Sequence, residues 1–186
     1  MRLHSNLIGL LAVCAVSCTS ERSHEPQSIA TAKDDSFVLS SAVSAATRRL
    51  REHGQAGLSL QDVKRTRDWF TPELYTLLAR DMSDSDGVGY LNWDPFTDAQ
   101  DDVGPFRFED VQRRGDTILV RFSREGYQAT RDSVTLAMIR IDSTWRIATF
   151  LYSQHSPCHR DLAAGLARYA RRVAANRPVD DPTCSD

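Results

Sequence analysis

DSVTLAMIRIDSTWRIATFLY, residues 132–152, decides the fold. Val134, Leu136 and Met138 recur at every second position, the period of a strand with one buried face. Asp142-Ser143 then breaks the pattern as a turn. The next run resumes the alternation, with Trp145, Ile147, Thr149 and Leu151 expected on one face and Phe150 and Tyr152 on the other. A link this short joins antiparallel neighbours. Upstream, Ile118, Val120 and Phe122 share a face, and Phe106 and Phe108 alternate with Arg107 and Glu109. Gly115-Asp116 supplies the turn between those two runs. Four antiparallel strands are therefore expected.

Helices flank this meander on both sides. Leu39, Val43, Ala46 and Leu50 follow Asp34-Asp35-Ser36, which predicts a capped helix with that stripe buried. Gly54 and Gly57 end it. Ser59 with Asp62 has capping-box spacing and opens a second helix, running to Trp69-Phe70. Thr71-Pro72-Glu73 restarts the chain as a third, burying Leu74, Leu77 and Leu78. A last helix carries Leu162, Leu166, Tyr169 and Val173 on one face and Arg168, Arg171 and Arg172 on the other. Helices, then a meander, then a helix is an α+β pattern with the sheet buried on one face.

The N-terminus reads as an address. Arg2 precedes an apolar run from Leu7 to Val16, too short to span a bilayer as a helix. Ala15-Val16-Ser17-Cys18 resembles a bacterial lipobox, with Ala15 in place of the usual Leu. That resemblance implies a signal peptide over 1–17, acylation of Cys18 with palmitate-type chains, and anchoring rather than insertion. By resemblance to lipoprotein sorting rules, Thr19 after the Cys implies the periplasmic face of the outer membrane. An ordinary signal peptide releasing a soluble protein is the other reading. Residues 18–35 are expected to be a flexible tether, 36–153 the α+β domain, and 154–186 a helix and tail.

The 186-residue chain has a net charge of −2, and loss of residues 1–17 removes one further Arg. A nucleic-acid binder would show a basic excess. Cys158 and Cys184 remain as an even pair in an oxidising compartment and read as a disulfide. It would close a loop of roughly 25 residues, worth about 3 kcal/mol. The competing reading is a metal held by His155, Cys158 and His159, but a distant pair with zinc spacing is lacking. No Walker loop, nucleophile elbow or dinucleotide fingerprint occurs, and no cofactor is expected.

Periodicity disappears from Ser83 to Gly104. Seven aspartates fall between Asp81 and Asp102 with no Lys or Arg, and Tyr90, Trp93 and Phe96 are interleaved. Long unpatterned loops in compact domains are functional or disordered. A structural reading makes Trp93 and Phe96 core plugs. A recognition reading makes Asp84, Asp86, Trp93, Asp98 and Asp102 a partner-binding surface. An EF-hand is excluded, because the register of Asp84-Ser85-Asp86-Gly87 puts its first ligand on Met82 and its twelfth on Trp93.

Trp69-Phe70-Thr71-Pro72-Glu73-Leu74 to Leu78, then Trp93-Asp94-Pro95-Phe96 with Gln100-Asp101, then Trp145-Arg146-Ile147, resembles domain of unknown function 3828 over residues 37–153. This is a family of bacterial exported proteins and lipoproteins within the nuclear transport factor 2-like superfamily. The resemblance implies a cone, with a curved antiparallel sheet wrapped over helices, and no established reaction. Related cones hold a carboxylate in a pocket as general base, a role open to Asp94 or Asp101. No histidine is expected in the core to support it, with His53 at a helix end and His155 and His159 beyond the sheet. The reading that follows is a lipid-anchored, non-enzymatic protein-binding module of the cell envelope. One version is an immunity protein against a periplasmic toxin; the alternative is a small-ligand or enzymatic cone.

Overall fold

A computed structural model describes residues 29–54, 58–84, 89–98, 105–125, 131–153, 155 and 159–175. The expected disulfide of Cys158 and Cys184 and the expected acylation at Cys18 lie outside these residues, as do Asp86, Asp101 and Asp102.

The first helix, α1, spans Ile29–His53. No Gly or Pro interrupts this stretch, so it continues through Asp34-Asp35-Ser36, which were expected to cap it. The helix therefore includes residues 29–35 of the expected tether. It ends at Gly54, whose φ of 68° suits a residue without Cβ. The buried stripe is also rotated from the expected one. Ala42, Ala45, Ala46, Arg49 and Leu50 face inward, while Leu39 and Val43 are half-buried at its border. The alanines let the helix backbone approach the sheet closely, and longer side chains serve better at the flanks.

Helix α2 (Leu60–Arg65) opens with the expected capping box, Ser59 and Asp62 bonding each other's backbone. A 3-10 turn (Arg67–Trp69) leads to α3 (Pro72–Asp84), where Thr71 Oγ1 accepts from Leu74 N–H at 3.2 Å. Leu74 and Leu78 are buried, and Leu77 is half-buried.

The sheet is open and antiparallel in the order β1 (Arg107–Arg114), β2 (Thr117–Glu125), β3 (Arg131–Ile141), β4 (Thr144–Tyr152). Asp142 and Ser143 both take positive φ, 48° and 64°, the geometry of a tight hairpin that follows strand twist. Ile118, Val120, Phe122, Val134, Leu136 and Met138 all face the helices. The alternation expected for β4 fails at Ala148. Ala137 pairs with Thr149, whereas Met138 pairs with Ile147, so Ala148 is an extra residue. Downstream of it the faces exchange. Phe150 and Tyr152 join Trp145 and Ile147 in the core, and Thr149 and Leu151 turn to the other face.

The outer edge of β4 is covered at both ends. Thr71 N–H bonds Ile147 O at 2.9 Å, and Tyr152 N–H bonds Arg160 O at 2.9 Å. Helix α4 (Leu162–Ala174) starts there. Asp161 caps Ala164 N–H and also accepts from the Thr149 hydroxyl at 2.7 Å. Leu162 and Leu166 are buried, Tyr169 is half-buried, and Val173 is exposed.

Candidate functional site

Residues 89–98 of the unpatterned segment are laced to the core rather than held away from it. Asp81, on the last turns of α3, accepts from the backbone N–H groups of Tyr90 (2.8 Å) and Leu91 (3.0 Å). A Cβ on Gly89 would meet that carboxylate at 2.9 Å, so the return of the chain requires glycine there. Tyr90 then lies against α4. A Cβ on Gly165 would fall 2.2 Å from the Tyr90 hydroxyl, and that hydroxyl meets His159 Nδ1 at 2.8 Å. Burial holds the Tyr90 phenol above its ordinary range. Burial, together with His155 and Arg168, holds the His159 imidazole below its own.

Asp94 organises the next turn. Its Oδ1 accepts from Phe96 N–H at 2.9 Å, and its carbonyl accepts from Asp98 N–H at 2.7 Å. Its Oδ2 lies 2.6 Å from His53 Nε2, with the two side chains 6% and 4% exposed. His53 ends α1 as expected, but its side chain is buried against Asp94, contrary to the expectation that no core histidine supports that carboxylate. The imidazole is stacked on Phe96 at 4.3 Å between ring centroids. Phe96 is fully buried among His53, Phe150, Trp69 and Phe70. It is the core plug of the structural reading.

A second carboxylate–imidazole pair lies on the other side of the turn. Asp98 adopts φ 53°, and its Oδ1 is 2.7 Å from His155 Nε2. Between the pairs, the buried Tyr152 hydroxyl donates to Pro95 O at 3.0 Å. Desolvation, then the nearby Asp98 charge, pushes the Tyr152 phenol well above its usual range. Trp93 is half-buried between Tyr90 and His155, its indole nitrogen beside the Tyr152 hydroxyl.

These positions sort the expected site residues. Asp94, Asp98 and Trp93 come together, with the Asp98 side chain 8% exposed and Trp93 half-buried. Asp84 ends α3, and nothing is described of its side chain. His155 and His159 address Asp98 and Tyr90 respectively. Among the described residues no group of three His, Cys, Asp or Glu converges to hold a metal ion.

Chemically, a carboxylate beside an imidazole can relay a proton. To do so in catalysis it must reach the substrate proton directly or through one water. Asp94 and His53 are closed under Phe96, so the pair acts as a latch between the end of α1 and the Asp94 turn. The histidines carried no sequence signal for this, because His53 and Asp94 are 41 positions apart. Asp81 also went unread, since its role depends on where the chain returns. No family model, no curated protein and no solved structure matches this chain.

Proposed function

We propose that this is an exported lipoprotein, anchored through Cys18 at the periplasmic face of the outer membrane, that works as a non-enzymatic protein-binding module. In one version it is an immunity protein against a periplasmic toxin. The fold is assigned in the same proposal to the nuclear transport factor 2-like cone. The observation that carries the non-enzymatic reading is the latch. Asp94, the best placed candidate base, is spent on His53 and on the backbone of its own turn. Among the described residues no helix is long and apolar enough to cross a membrane. The binding surface is assigned to Asp84, Asp86 and Asp102 of the acidic segment.

Three measurements test this reading. A clickable fatty acid should label the wild-type chain and not Cys18→Ala; absence of label in the wild type refutes the anchor. Cells lacking the gene should be killed in contact with wild-type neighbours and be rescued by the gene. Equal survival of the deletion strain refutes the immunity version. Once a partner is purified, Asp84→Asn, Asp86→Asn and Asp102→Asn together should slow association and flatten its salt dependence. Unchanged kinetics in the folded variant would remove the loop from the interface.

A further inference from the structure

Arg49 is a buried cation without a matching anion. It projects from the inward face of α1 and is 3% exposed. One terminal nitrogen donates to Trp145 O, and the other reaches only the Met138 thioether at 3.9 Å. Its Nε has no hydrogen-bond partner among the described residues. The charges that act on it are mostly of its own sign, Arg48 and Arg146, against Glu52 alone. Burial and those neighbours pull its pKa down to about 10. A buried charge left in this state is costly, and a methionine would fill the same space at less expense.

The side chain forms the floor of a groove of about 520 Å³ between α1 and the β3–β4 hairpin. That size falls within the roughly 300–1,000 Å³ of small-molecule sites. Hydroxyls from Ser40, Ser44, Ser143 and Thr144 line it, and Arg48 adds a second guanidinium. Among the described residues no Asp or Glu lines it. Apolar surface comes from Trp145, whose indole is held by Ser41 Oγ at 2.9 Å, and from Phe37, which is 70% exposed at the rim. The guanidinium fork suits a carboxylate or phosphate, and the aromatic rim suits an apolar body attached to it.

We propose that this groove is a binding site for a small ligand that carries a carboxylate or phosphate on an apolar body, with Arg49 as the anion-binding residue. The site is independent of the acidic segment and of the anchor, and it stands whether or not a protein partner exists.

The test titrates the full chain with benzoate, phenyl phosphate and dihexanoyl phosphatidic acid, read by calorimetry and by the NMR resonance of the Arg49 Nε–H. Saturable binding of at least one probe that shifts this resonance is expected. Tighter binding of the phosphatidic acid assigns the ligand to a lipid headgroup, and tighter binding of the others to a soluble metabolite. Arg49→Met should weaken binding about tenfold or more, as loss of a charge-assisted hydrogen bond does. Arg51→Met, an equal charge change on exposed helix surface, should leave it unchanged. No saturation by any probe overturns the proposal, as does equal affinity in folded Arg49→Met. If Arg49→Met does not fold, an Arg49 resonance unmoved at saturation overturns it equally.

Discussion

Replacing Phe96 with Ala should remove about 3–5 kcal/mol of folding stability, the range for deleting a fully buried aromatic ring. The structure favours the upper half of that range. The ring has no exposed surface and is walled by four others: His53, Phe150, Trp69 and Phe70. A cavity costs most where its walls cannot collapse, and these are held from behind. His53 is pinned by Asp94, and Phe70 belongs to the segment whose next residue, Thr71, bonds Ile147 O. For a domain of this size a loss of about 4 kcal/mol lowers Tm by roughly 8–16 °C. Urea unfolding followed by tryptophan fluorescence measures it directly, and Trp69, edge-on to Phe96 at 6.1 Å, should report the change. Phe96→Leu, which keeps much of the volume, should cost about 1.5 kcal/mol or less. A loss below about 1 kcal/mol for Phe96→Ala, with an unchanged m-value, would refute the plug. If binding were then lost while stability survived, Phe96 would be an interface anchor instead.

Asp94→Asn keeps the shape of the latch and removes its charge, and should cost about 1–3 kcal/mol in thermal or urea unfolding; an unaffected fold would show that the His53 contact contributes nothing. Gly165→Ala raises helix propensity by about 1 kcal/mol, yet its methyl group collides with the Tyr90 ring, so differential scanning calorimetry should show net destabilisation. Raised folded pKa values at Tyr152 and Tyr90 keep both phenols protonated where the unfolded chain has lost the proton. Their stabilisation is therefore complete below the unfolded value of about 10 and is lost as pH rises above it. The slope of stability against pH above that value should be shallower in Tyr152→Phe, and an identical slope would refute the assignment.

What could be read from the sequence is what local chemistry settles. Ser59 and Asp62 are three positions apart and need only each other. Thr71-Pro72 starts a helix whatever follows, and Asp142-Ser143 turns wherever its strands lie. The inward faces of β2 and β3 also obey a rule with no long-range term. The rest depends on partners that spacing does not reveal. A rule that buries only apolar side chains passes over Arg49, although its i, i+4 relation to Ala45 puts it on the stripe. His53 looks exposed at a helix end until Asp94 arrives from 41 residues away.

Ala148 shows how far one such feature reaches. A strict alternation through β4 would send Phe150 and Tyr152 to the outer face. Phe96 would then lose its edge-to-face contact with Phe150, at 4.9 Å, and the Pro95 carbonyl would lose the Tyr152 hydroxyl. Both contacts belong to the turn that Asp94 organises. The bulge is therefore what lets the sheet hold the acidic segment from below, while the His53 latch holds it from the side. The register of β3 against β4 fixes it, because Ala137 and Met138 are adjacent while their partners, Thr149 and Ile147, are not. No period within β4 alone carries that information, since the extra residue is defined only by the strand across from it.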